Sequence, residues 1–229
     1  MEIRELTPFG PHLNGPKGWI AQIGTDNYNH RFGGKSWKTL DSTGICEPPT
    51  LLINLDLNDP KLLTLRFDDL DELPLCYSIN CDALVRPQRF QIEPKSHTIT
   101  LIEIATDSPE RLPADGLFPI PLHETRVSLR PMEFDDYPTD IETYDRACER
   151  FVGGNSFIRI MGPPLWLQSV EVETCTCGSE MIYVASIGYE SSHNPTGFIP
   201  GGVFFLGEAA LYFFLCKSCL TTMVISQST

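Results

Sequence analysis

The chain has 229 residues, 41% hydrophobic and 21% charged, an apolar share that suits a substantial core and excludes a disordered chain. A formal net charge of -13 sets aside general nucleic-acid binding, because an acidic surface repels a phosphate backbone; it serves solubility and would also suit a basic partner. Nineteen prolines and 17 glycines point to many turns and few long helices.

The opening Met1-Glu2-Ile3-Arg4-Glu5 lacks the apolar run of an export signal, and the apolar stretch 203–215 is too short to span a bilayer and carries Glu208. The expectation is a cytoplasmic protein that does not enter membranes. Along the chain, Phe32-Gly33-Gly34-Lys35-Ser36-Trp37 reads as a glycine turn, followed by strand-like 51–55. Asp68, Asp69, Asp71 and Glu72 place four carboxylates within five positions, just before the apolar segment 75–81. Alternation predicts strands over 98–104 and 125–130, with prolines breaking the chain around them. Ile141, Tyr144, Cys148 and Phe151 recur at helical spacing, and Thr139 with Glu142 forms a capping box at the start of that helix. Its apolar face, Cys148 included, faces the core. Glu133, Asp135, Asp136, Asp140, Glu142 and Asp145 form a solvated acidic face. Further strands are predicted over 165–172, 180–188, 209–215 and 222–226.

The chain also matches itself. Phe32–Trp37 is similar to Met161-Gly162-Pro163-Pro164-Leu165-Trp166, and 129 positions separate both Trp37 from Trp166 and Cys46 from Cys175. Leu75–Cys81 is similar to Leu211–Cys216, where Cys81 and Cys216 lie 135 positions apart, so an insertion of about six residues reconciles the copies. The implied fold class is α+β and β-rich: an internally duplicated, pseudo-twofold single domain spanning 1–229. Copy one covers about 20–85, a middle segment 86–154, and copy two about 155–229. Each tryptophan is expected to seal the end of its own copy rather than line a groove between copies.

Four of eight cysteines form two tight pairs, Cys175-Thr176-Cys177-Gly178 and Cys216-Lys217-Ser218-Cys219, separated by strand-like sequence. Two such turns converging at strand ends are the layout of a zinc ribbon, closed by four thiolates and structural rather than catalytic. Gly178 suits the tight turn after the first pair. Cys46 and Cys81 match one cysteine of each pair; two thiolates alone do not make a zinc site, and both are expected to be free or packed. Lys217 is the only basic residue within the pairs, which argues against direct nucleic-acid contact there.

These residues resemble the YwqG-like bacterial family of unknown function, specifically a cysteine-containing, zinc-binding branch of it. The family's Gly-Gly-x-Pro-x-Trp-x-x-Gln motif is similar to Gly162-Pro163-Pro164-Leu165-Trp166-Leu167-Gln168. Here Met161 replaces the first glycine, and the glutamine comes one residue early. Copy one keeps Gly33, Gly34 and Trp37 without the glutamine. The resemblance covers 30–85 and 160–229. It brings no catalytic residues; the presence of some members in toxin–immunity neighbourhoods implies partner binding by analogy.

No phosphate loop, nucleophile elbow or paired-histidine motif occurs. His12, His30, His97, His123 and His193 are scattered, with His193 in a loop, and the strand setting of Cys76 favours burial. The expectation is therefore a non-catalytic immunity- or antitoxin-type protein that carries structural zinc and blocks a partner protein, such as a basic nuclease toxin. Its contacts are expected through Asp68, Asp69, Asp71, Glu72, Asp135, Asp136 and Asp140. The alternatives are a zinc-stabilised scaffold or regulator, or an enzyme acting between the repeats through a histidine or Cys76.

Overall fold

A computed structural model of the chain describes residues 17–228 apart from 45–47, 68, 83–86, 105–109, 112–117, 172 and 194. His12, Cys46 and Asp68 lie outside the described residues. In chain order the first strands are β1 (Gly18–Ile23), β2 (Arg31–Phe32), β3 (Lys38–Asp41), β4 (Thr50–Asp56), β5 (Glu72–Tyr77), β6 (Cys81–Asp82) and β7 (Gln88–Glu93). Then come β8 (Thr98–Ile104), β9 (Glu110–Arg111), β10 (Thr125–Pro131), helix α1 (Ile141–Phe151), β11 (Ile158–Met161), β12 (Ile182–Ile187), β13 (Ala209–Cys216) and β14 (Thr221–Ser228). Twelve strands form one sheet in the order β3-β8-β7-β14-β13-β12-β11-β1-β10-β2-β4-β5, while β6 and β9 pair separately. The protein is β-rich, as its alternating segments predict.

The sheet has apolar packing on both faces. Along β13, Leu211, Phe213 and Leu215 join the larger core, whereas Ala210, Tyr212, Phe214 and Cys216 join a second core that also takes Ala147 and Phe151 from α1. A strand covered on both sides has no polar face, which explains the unbroken apolar run of β13. Each fully buried Leu or Phe there contributes about 1.5–3 kcal/mol.

The helix begins one cap later than its sequence suggests. Asp140 is the N-cap: its carboxylate accepts the Thr143 N–H at 2.8 Å, and Thr143 Oγ1 accepts the Asp140 N–H at 3.0 Å. Asp140 and Thr143 close that reciprocal pair, so the Thr139–Glu142 box does not form. Ile141, expected on the apolar face, is 71% exposed.

The strand expected over 165–172 is replaced by irregular chain through its described residues. Its backbone groups bond to side chains instead of a neighbouring strand. The Tyr212 hydroxyl donates to Leu165 O at 2.6 Å and accepts from Leu167 N–H at 3.2 Å, and the Tyr144 hydroxyl donates to Trp166 O. Trp166 stacks on Tyr212 at 4.7 Å in the second core. Trp37 belongs to the larger core and donates Nε1–H to Glu72 at 3.2 Å. The two tryptophans thus sit in different cores.

At the middle of the sheet β1 and β10 pair antiparallel, with Ala21 opposite Leu129. Strands β11, β12 and β13 follow on one side, and β2, β4 and β5 on the other. The β12–β13 ladder shifts register between Tyr183 and Ala185, the β4–β5 ladder between Leu51 and Ile53. Gly33 and Gly34 leave β2 with φ of 68° and 85°; Met161 and Gly162 end β11 with φ of 56° and 70°.

Candidate metal centre

Two turns bring four thiols together. Before β12, the chain from Thr174 to Glu180 folds back on itself: Gly178 N–H donates to Cys175 O at 2.8 Å and Cys175 N–H to Ser179 O at 2.9 Å. Gly178 has φ of 85°, a left-handed conformation that suits glycine. The second turn joins β13 to β14, with Leu220 N–H donating to Cys216 O at 3.0 Å. Pleating points Cys216 into the second core beside Tyr212 and Phe214, on the same side of the sheet as Cys175.

The Sγ atoms of Cys175, Cys177, Cys216 and Cys219 all lie within 4.8 Å of one another. Cys175 is 3.5 Å from Cys219, and Cys177 is 3.5 Å from Cys216, so both contacts cross from one turn to the other. Cys175 and Cys216 are buried, Cys219 is half-buried and Cys177 is exposed. Hydrogen bonds from the hydroxyl and backbone N–H of Ser179 hold the Cys177 thiol down to about 6, while burial pushes Cys219 up to about 12. The cluster is able to hold a metal ion, as the spacing of the cysteines predicts.

Neighbouring elements fix the second turn. Gln91 on β7 donates Nε2–H to Cys219 O at 2.8 Å and accepts the Thr221 hydroxyl at 3.3 Å. Lys217 reaches Thr64 O and lies 5.3 Å above the Phe67 ring, so its charge serves an internal contact.

A second constellation escaped sequence reading. Asp26, His30 and Asp59 cluster closely enough to hold a cation. His30 Nδ1 accepts the Asp56 N–H at 3.1 Å, which leaves Nε2 to donate to Asp59 at 3.0 Å. Lys61 Nζ sits 3.3 Å from both Asp26 and Asp59, 5.9 Å from the Trp19 ring centre and 6.0 Å from that of Tyr28. Its ammonium is the cation of this cluster. The participants come from separate segments with no common spacing, so the sequence carried no signal for the cluster.

The acidic residues divide in two. Asp69, Asp71, Asp135 and Asp140 are exposed. Asp136, expected on the partner surface, is instead 1% exposed and paired with Arg130 at 3.3 Å and Arg150 at 3.1 Å. Glu72, expected there too, turns inward to accept from Asn54 at 2.7 Å as well as from Trp37. Two half-buried arginines draw the Asp136 carboxylate inside, and the buried Asn54 and Trp37 engage that of Glu72.

Cys76 is buried and its thiol is pushed well up by burial, and Cys148 is pushed to about 11 by its partial burial in the second core. Cys81, expected to be free or packed, is buried and disulfide-bonded. His97 lies 4.9 Å from the Trp37 ring, and His193 is exposed in its loop. Among the described residues no helix is long and apolar enough to cross a membrane.

No protein family and no solved structure matches the chain. Over 75 residues it is 32% identical to the uncharacterized protein YpfL of Salmonella typhimurium. The matched stretch is 32% of this chain and 16% of that protein's length.

Proposed function

We propose that the chain is a non-catalytic cytoplasmic binding protein of the immunity type, stapled by one structural zinc ion, that blocks a basic partner protein such as a nuclease toxin. The observation that carries the metal assignment is the closed set of four sulfurs within 4.8 Å. Metal–sulfur bonds of about 2.3 Å in a tetrahedron require sulfur–sulfur edges of about 3.8 Å, close to the two 3.5 Å contacts. Four thiolates favour zinc over hard cations and leave no open position for a reacting water. Metal analysis of protein purified without added metal tests this: one zinc per chain supports it, and a Cys219→Ser variant that keeps full zinc removes it.

The partner reading rests on the net charge of -13 and the exposed carboxylates of Asp69, Asp71, Asp135 and Asp140. Such a surface accelerates and orients the approach of a cationic protein. Tagged protein in its native cells should retain one stoichiometric basic partner that high salt releases. Changing Asp69, Asp135 and Asp140 to Asn should weaken that complex; unchanged affinity would take these residues out of the account.

The chain also reads as one domain built from two copies of a unit, about 20–85 and 155–229. The paired bulges, and the matched positive φ values at Gly33, Gly34, Met161 and Gly162, support it. The bulges pair Leu52 with Val184, whereas the φ values pair Phe32 with Ile160, one position from the tryptophan-based alignment. The YwqG-like resemblance is part of the same reading. A profile of relatives built on 155–229 that aligns 20–85 in this register supports duplication, and any other register argues against it.

A further inference from the structure

The two 3.5 Å sulfur contacts join Cys175 to Cys219 and Cys177 to Cys216, and each links the turn before β12 to the turn between β13 and β14. Among the four cysteines Cys177 alone is exposed, while its neighbour Cys216 is buried beneath it. We propose that Cys177 is a site of oxidation by hydroperoxides, and that oxidation replaces the metal staple with cross-turn disulfides. The loss of metal rests on the zinc reading above; the pairing of the thiols does not.

The chemistry follows from access and contact. The Cys177 thiolate attacks one peroxide oxygen; a sulfur–oxygen bond forms, the oxygen–oxygen bond breaks, and hydroxide leaves. Cys177 is oxidised by two electrons to a sulfenic acid. The Cys216 thiolate then attacks the Cys177 sulfur, forming the disulfide and expelling a second hydroxide. Two protons convert the hydroxides to water, so one peroxide consumes two thiolates. Two remaining thiolates do not make a closed zinc site, and the ion departs. Cys175 and Cys219, already in contact, take up a second peroxide in the same way. Because both bonds run between turns rather than within one, the hairpin stays tied to the segment before β12 after the metal has gone.

The test uses the purified full chain and hydrogen peroxide. A chromophoric chelator reports zinc, dimedone traps the sulfenic acid, and mass spectrometry of unreduced peptides maps disulfides. The expected result is dimedone on Cys177 at low peroxide. At higher peroxide, Cys177–Cys216 and Cys175–Cys219 links should form with zinc release, and the melting temperature should stay well above that of reduced, metal-stripped protein. Disulfides within a turn, a first adduct on another cysteine of the cluster, or zinc retained through peroxide would each overturn the proposal. Protein that carries no zinc at the outset defeats the zinc reading alone, and the disulfide map still decides this one.

Discussion

Gly18 at the start of β1 and Gly162 at the end of β11 lie so close that a β-carbon on Gly162 would come within 2.8 Å of the Gly18 Cα, and one on Gly18 within 2.9 Å of the Gly162 Cα. This contact sets how closely the β11 side of the sheet packs against the central strand. Gly162 also has φ of 70°, which an L side chain rarely adopts. Gly162→Ala should therefore destabilise the protein by about 2–4 kcal/mol, read as a lower denaturation midpoint with an unchanged slope. Gly44→Ala provides a contrast: it has φ of 69° and nothing within 4 Å of its added β-carbon, so only the backbone cost, about 1 kcal/mol, should be seen.

Removing the metal should be felt well beyond the two turns, because Gln91 and Lys217 tie the β13–β14 turn to β7 and to the segment around Thr64. Treatment with a strong chelator under reducing conditions should lower stability by at least about 3 kcal/mol, a fall of about 6–12 °C in Tm for a chain of this size. Calorimetry with and without zinc restored measures it. An unchanged Tm would mean that the thiol cluster packs without metal.

Asp135 and Asp136 are neighbours with opposite prospects. Asp136 accepts from Arg130, Arg150 and the Glu133 N–H while buried, and the fully buried Arg159 donates to its backbone carbonyl at 2.9 Å. Asp136→Ala leaves cationic groups without their counter-charge and should cost about 3–5 kcal/mol. The Asp135 side chain is 74% exposed and 3.9 Å from Arg150, so Asp135→Asn should change stability by less than about 1 kcal/mol. Urea unfolding of the two variants compares them directly.

Acid should find the loop around Lys61. Burial alone would raise the Asp26 pKa, but the Tyr28 N–H and Lys61 outweigh it and hold the group below its ordinary value; Asn29 and Asn58 do the same for Asp56. A carboxylate depressed on folding adds stability that is full above its unfolded pKa and is lost as pH falls through its folded pKa. Stability should thus be flat from neutral pH down to about 5 and fall below about 4. Asp26→Asn should make that acid fall shallower; an identical acid limb in the variant would exclude Asp26 as a contributor.

Much of the candidate site was legible because its information is local. Each cysteine pair occupies one turn, so spacing alone identifies two thiol-bearing turns, and the apolar run of β13 marks a strand covered on both faces. Strands 98–104 and 125–130 and the helix near 141–151 carry their periodicities in consecutive residues. Cap position failed by one residue, since Thr139 and Asp140 both offer a capping oxygen and only the closed turn chooses between them.

What the chain order determined by itself was therefore the β-rich class, the four-cysteine set able to hold a metal ion and the acidic balance. Tertiary structure decided which carboxylates stay at the surface, because Asp136 and Glu72 are claimed by donors from other elements and loops, Arg130, Arg150, Trp37 and Asn54. It also decided that thiols cross between turns, that Lys61 fills the Asp26–Asp59 cluster, and that β1 lies between β10 and β11. Spacing along a chain fixes what one turn or strand can present, whereas charge pairing and sheet order depend on contacts between residues far apart in sequence.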